Sequence, residues 1–145
     1  MCIRDSNYTK TLYISSRISP ERKEYIHLYP CDDLINNVAI PTGISSSYSE
    51  NGDHLFSVTV LYDKISEDDL IEGVMKRLKG YYGGEKGDYK FLKCIDIKNG
   101  TLRQLPGYFD NQKTQNGDMI ITGEHQTNGS IEGAIISGIE AANSL

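Results

Sequence analysis

The chain has 145 residues, 38% of them apolar, and a formal net charge of −5 at pH 7. That length allows one domain with its own core. The acidic balance, with both signs scattered and no polybasic block, argues against a nucleic-acid or anionic-membrane partner, which needs a basic face. No apolar run approaches the ~20 residues needed to span a bilayer.

Residues 1–6, Met-Cys-Ile-Arg-Asp-Ser, carry charge where the apolar stretch of a signal peptide would begin. No period is visible before Thr11, so residues 1–10 are expected to form a non-native or disordered head. Cys31 and Cys94 are then the relevant cysteines; their wide spacing gives neither a metal signature nor a disulfide framework, which points to a reduced, cytoplasmic setting. Thr11 to Ser15 and Tyr25 to Tyr29 read as strands, the first rich in residues that fit a pleated surface and the second stopped by Pro30. Asp32-Asp33 predict a turn. Ile35 to Ile40 predicts a strand with Val38 and Ile40 on one face, with Asn36-Asn37 read as its entry turn in preference to a ligand-facing pair. Ser45 to Gly52 is a polar loop. From His54 to Tyr62 the alternation is clearest, with Phe56, Val58, Val60 and Tyr62 on one side.

Ser66 then predicts a helix start. Asp69 stands three residues on, and Glu67-Asp68-Asp69 suit the positive end of the helix dipole. Leu70, Ile71, Val74, Met75 and Leu78 make the apolar stripe, with Lys76, Arg77 and Lys79 toward the negative end. Gly80 and then Gly83-Gly84 are expected to stop it. Phe91 to Ile97 reads as a further strand, and residues 98–116 as irregular, punctuated by Asn99-Gly100, Pro106-Gly107 and Asn116-Gly117. A last strand from Met119 is expected to reach Gly123-Glu124, followed by a polar loop and a helix opening at Ser130. The order predicts an α+β fold with a mostly antiparallel sheet.

No catalytic constellation stands out. His27, His54 and His125 are not in metal spacing; GxSxG, the P-loop and GxGxxG are absent. Gly80-Tyr81-Tyr82-Gly83-Gly84 follows a helix and does not open one, so it reads as a stop and not a phosphate cradle. The ten tyrosines form no stacking stripe and read as packing residues.

The tail differs. Gly133, Ala134, Ser137, Gly138, Ala141 and Ala142 recur at three- and four-residue spacing, which lets another backbone or a flat ligand come close. Glycine inside a helix costs about 1 kcal/mol against alanine, so two of them ask for a reason. Gly123 would let a ligand approach the backbone, and Glu124 offers a carboxylate to sugar or ribityl hydroxyls. Ser130 would cap a helix whose first N–H groups favour negative charge. The residues alone leave two readings open: a cofactor edge, or an ordinary capped helix packed on a sheet.

Gly123-Glu124-His125, Ser130-Ile131-Glu132-Gly133-Ala134, Ser137-Gly138 and Ala141-Ala142 resemble the C-terminal FAD signature of the flavin-containing amine oxidase and phytoene desaturase superfamily. Upstream, Thr11-Leu12-Tyr13-Ile14, Leu34 to Ala39, Ser47-Tyr48 with Gly52, and His54 to Val60 resemble that family's substrate-domain region more loosely. The resemblance implies FAD as cofactor, with Gly123, Glu124, Ser130, Ile131, Glu132, Gly133 and Ala134 as cofactor-binding residues. Glu124 would lie near the phosphate–ribityl stretch, and the backbone of residues 130–132 would face the isoalloxazine ring. It also implies a partial substrate domain over residues 11–110 and, over residues 111–145, the terminal strand and helix of a split, Rossmann-like FAD domain. The N-terminal Rossmann unit with its GxGxxG, which binds the ADP half of FAD, is missing from this sequence. The expectation is therefore a C-terminal fragment of an FAD-dependent oxidoreductase that moves a hydride or its equivalent from a small or apolar organic substrate, inactive by itself. The alternatives are a stand-alone α+β binding module without chemistry, or a subunit that completes a cofactor site on a second chain. No catalytic residue, metal ligand or specific substrate is named by the sequence.

Overall fold

The computed structural model describes residues 6–61, 65–109 and 115–144. The expectations for residues 1–5 with Cys2, for Tyr62 at a strand end, for residues 110–114 of the irregular stretch and for Leu145 fall outside the described residues. Two compact units are present, one spanning Tyr8–Lys98 and the other comprising the stretch up to Asn7 and that from Asn99 onward. The fold is α+β with a five-stranded antiparallel sheet, in the order β2-β3-β4-β1-β5.

The sheet is built from β1 (Ser6–Ser16), β2 (His27–Leu28), β3 (Ile35–Ala39), β4 (His54–Val60) and β5 (Tyr89–Leu102). β1 and β4 pair with Leu12 opposite Val58 and Ile14 opposite Phe56. All four side chains are fully buried, so the period of two in each strand delivers one apolar face to the core. β3 holds a bulge between Ile35 and Asn37. Because of that extra residue, Ile35 and Val38 are both fully buried although they are three apart. Asn36 and Asn37 lie within the strand, which corrects the expectation of an entry turn.

Helix α1 (Glu67–Tyr82) covers the core face. Leu70, Val74 and Leu78 recur every four residues and are fully buried, while Ile71 and Met75 flank the core cluster half-buried. Ser66 caps the helix: its Oγ accepts from the Asp69 N–H at 3.2 Å and donates to the Asp69 carboxylate at 2.6 Å. Gly80 does not stop the helix. It runs to Tyr82 and ends at Gly83, whose φ of 79° only glycine adopts cheaply. The Tyr89 hydroxyl donates to the carbonyls of Gly83 (2.8 Å) and Leu78 (3.3 Å), fastening this end to β5.

Several edges differ from expectation. β1 starts at Ser6, inside the expected head, and there Ser6 Oγ donates to the Asn99 side chain at 2.7 Å. β5 extends to Leu102 through Asn99-Gly100, which reads as a turn by sequence. Polar loop 45–52 contains a single 3-10 turn, Ser46–Tyr48.

In the second unit, β6 (Gln115–Asn116) and β7 (Met119–Ile120) form a small antiparallel hairpin. β7 ends at Ile120, short of Gly123. A 3-10 turn over Glu124–Gln126 follows, and then helix α2 (Ile131–Asn143). Among the described residues, no helix is long and apolar enough to cross a membrane.

Candidate functional site

Gly123, Glu124 and residues 130–134 all lie in the second unit, at the 3-10 turn over Glu124–Gln126 and at the start of α2, and are near one another because they are near in sequence. Gly123 has φ 140°, a conformation side-chain-bearing residues rarely adopt. Its N–H donates to Ser137 Oγ at 3.1 Å, and Ser137 is almost fully buried. A Cβ on Gly123 would stand 2.8 Å from His125 Nδ1. The room left by the missing side chain is therefore taken up by the neighbouring imidazole.

Ser130 is the N-cap of α2, as expected. Its Oγ accepts from the Gly133 N–H at 3.0 Å and donates to the Asn128 side chain. The N–H groups of Ile131 and Glu132 have no partner among the described residues, which is the ordinary state of a helix start and the one that favours an anion or a polarisable acceptor. Gly133 is buried, and its small size has an internal cause. A Cβ there would lie 2.2 Å from Asn128 O and 2.6 Å from Thr127 Oγ1. Thr127 Oγ1 in turn donates to the Gly133 carbonyl at 2.8 Å. Glu124, Ile131, Glu132 and Ala134 are exposed.

This arrangement fits a flavin in part. The exposed Glu124 carboxylate, the open N–H groups of Ile131 and Glu132, and the exposed Ala134 are accessible to such a group. The voids at Gly123 and Gly133 would not, because His125 and Asn128 occupy them. A groove of about 270 Å³ runs along the trailing half of α2, between Ile120, Ile121, Gln126, Ser137, Glu140, Ala141 and Ser144, and none of the seven residues lines it. The outer side of α2 carries Ile131, Ile135, Ile136 and Ile139, exposed by 39–84%.

The sequence reading missed a polar and aromatic cluster in the first unit. Asp32 Oδ1 accepts from the N–H groups of Leu34 and Ile35, both at 2.7 Å, and from Arg77 Nε at 3.0 Å. Tyr81 donates its hydroxyl to the same carboxylate, and Arg77 reaches on to Asp33. Tyr29 stacks on Tyr81 with ring centroids 4.1 Å apart and donates to the Tyr82 hydroxyl at 2.8 Å. Tyr82 also meets His27 Nδ1 at 2.6 Å. Tyr29, Tyr81 and Tyr82 thus stand together, a grouping the sequence does not single out, with Tyr29 and Tyr81 as a stacked pair and not a stripe.

Burial by itself would raise the Asp32 carboxyl, but the hydrogen bonds from Tyr81, Ile35 and Leu34 and the Arg77 charge outweigh it and hold it below the usual carboxylate range. The bond to Asp32 pushes the Tyr81 hydroxyl up to about 12, and burial raises Tyr82. A shallow cleft of about 490 Å³ adjoins the cluster, with the exposed thiol of Cys31 on its border. Every charge facing it is already paired, so the cluster acts as a clamp between the β2–β3 turn and the end of α1. Its only sequence signal is Asp32 three positions before the start of β3, an Asx-turn pattern. His54, at the start of β4, is held below its usual range by burial and by Lys23. Among the described residues, no three His, Cys, Asp or Glu side chains stand together to hold a metal.

No family model matches the chain, and neither does any curated protein. Solved structures share its fold. A Pyrococcus furiosus protein superposes over 99% of this chain with a TM-score of 0.67 at 12% identity. An oxidoreductase from Methanosarcina mazei does so over 97% with a TM-score of 0.67 at 14% identity. At such identities the likeness is one of fold. The chain spans about a third of the length of each, 33% and 35%.

Proposed function

We propose that this chain is the C-terminal part of an FAD-dependent oxidoreductase resembling the amine oxidase and phytoene desaturase superfamily. The observation that carries the reading is the start of α2. Ser130 caps the helix, Ile131 and Glu132 leave their N–H groups open, and the Glu124 carboxylate lies exposed upstream on the same segment. The fold shared with a protein called an oxidoreductase supports it.

FAD, when bound, accepts a hydride or its equivalent from a small or apolar organic substrate. In this proposal the open N–H groups and the dipole of α2 stabilise negative charge on the flavin's pyrimidine edge. Glu124 accepts bonds from ribityl or ribose hydroxyls. Ala134 keeps the helix surface flat against the ring. The ADP half would be held by an N-terminal Rossmann segment outside this sequence, and a cytoplasmic setting goes with the free thiols of Cys31 and Cys94.

The test has two arms. Flavin titration of the chain alone should show no tight, saturable quenching, because half of the contacts are absent. In a longer parent protein, Ala134→Leu should abolish flavin retention and leave the unfolding curve in place, since leucine is a good helix former and Ala134 is exposed. A variant parent that stays yellow would refute the assigned site. Gly133→Leu is the poorer probe, because it would disrupt the Asn128 loop whether or not flavin binds.

A further inference from the structure

One side of α1 borders an open, mainly apolar groove of about 480 Å³. Asp68 and Glu72 stand toward its N-terminal end, Lys76 and Lys79 toward its C-terminal end, and Ile71 and Met75 lie between. The four charged residues are exposed and the two apolar ones half-buried. Only Lys79 of the four is engaged elsewhere, with Glu85 at 2.5 Å.

This face is complementary to itself. A two-fold axis near the middle of the helix would lay a second α1 antiparallel along the first. Asp68 would then meet Lys79 of the second copy, Glu72 would meet its Lys76, and Ile71 and Met75 would pack at the centre. A closed, isologous contact of this kind repeats each pair twice. The exposed side of α2 lacks this property. Glu132 and Glu140 flank its isoleucines and no basic residue lies on the helix, so two copies would set acid against acid.

We infer that the groove face of α1 is a homodimer interface, occupied by α1 of a second copy in antiparallel orientation. The inference rests on the first unit alone and goes beyond the flavin reading.

Sedimentation equilibrium of the purified chain at low salt, where exposed charges are least screened, tests it. The wild type should show a concentration-dependent dimer. Reversing one end with K76E and K79E together, or the other with D68K and E72K together, should each weaken it by about tenfold or more. An equimolar mixture of the two reversed proteins should recover the dimer, because each restores the other's charge pairs. Circular dichroism checks that α1 persists. If a reversal melts the helix, Met75→Lys, which places a charge at the centre of the contact, should give the monomer instead. A wild type that is monomeric throughout overturns the inference. So does a dimer unmoved by the reversals or by Met75→Lys, or one lost only when Ile135 and Ile139 are replaced by lysine.

Discussion

Two glycines five residues apart in α2 should respond in opposite directions to the same change. Gly138 is exposed with nothing within 4 Å of an added Cβ. Alanine there gains helix propensity and loses no contact, so Gly138→Ala should stabilise α2 by about 0.5–1 kcal/mol. At Gly133 the same methyl would stand 2.2 Å from Asn128 O, 2.3 Å from Asn128 Oδ1 and 2.6 Å from Thr127 Oγ1. The loop over residues 127–130 must then move. The bond from Thr127 Oγ1 to the Gly133 carbonyl and the Ser130 cap bond to the Gly133 N–H are both put at risk. Each is worth about 1 kcal/mol, against the ~1 kcal/mol of propensity gained, so Gly133→Ala should destabilise by about 1 kcal/mol. The two variants should bracket the wild type, roughly 2 kcal/mol apart. Amide hydrogen exchange along α2 is the appropriate assay, because it reads this helix separately from the first unit. A Gly133→Ala protein whose α2 amides are as protected as those of Gly138→Ala would refute the close approach of Asn128.

Stability should fall with acid in a way that Asp32 controls. Its carboxyl is held below the unfolded value of about 3.9, so its contribution is present in full above that pH and is lost as pH falls through the folded value. Asp32→Asn should flatten that part of a urea-stability profile taken between about pH 2 and 6; parallel profiles would count against the clamp. Phe56 is fully buried and meets Tyr82 and Tyr89 edge-on, with centroids at 5.2 and 6.1 Å. Phe56→Ala should cost about 3–5 kcal/mol in urea unfolding, and a loss below about 1 kcal/mol would mean the core is centred elsewhere.

The elements whose signals are purely local were legible. α1 announced itself through Ser66, the acidic first turn and the stripe at Leu70, Val74 and Leu78; β4 did so through strict alternation. Where neighbours decide, the sequence reading slipped. Asn99-Gly100 has turn chemistry, yet β5 runs through it, as strand preference depends on the surroundings more than on the residue. Gly80 punctuates by type, but α1 packs past it to Tyr82. The small residues of α2 ask for a reason by their spacing alone. That the reason at Gly133 is Asn128, and at Gly123 is His125, depends on where a loop folds back, which spacing alone does not encode. The clamp at Asp32 was equally hidden, since Tyr81 and Arg77 reach it across 49 and 45 positions of chain.

The additional residue in β3 has a bearing on how this protein should be compared with others. Upstream of it the core-facing positions have one parity, and downstream the other. A gapless alignment against a strand of regular pleat would match Val38 correctly only by setting Ile35 against an outward position. Relatives of this fold are best compared with a one-residue gap allowed at Asn36, and scoring that forbids it will understate their kinship.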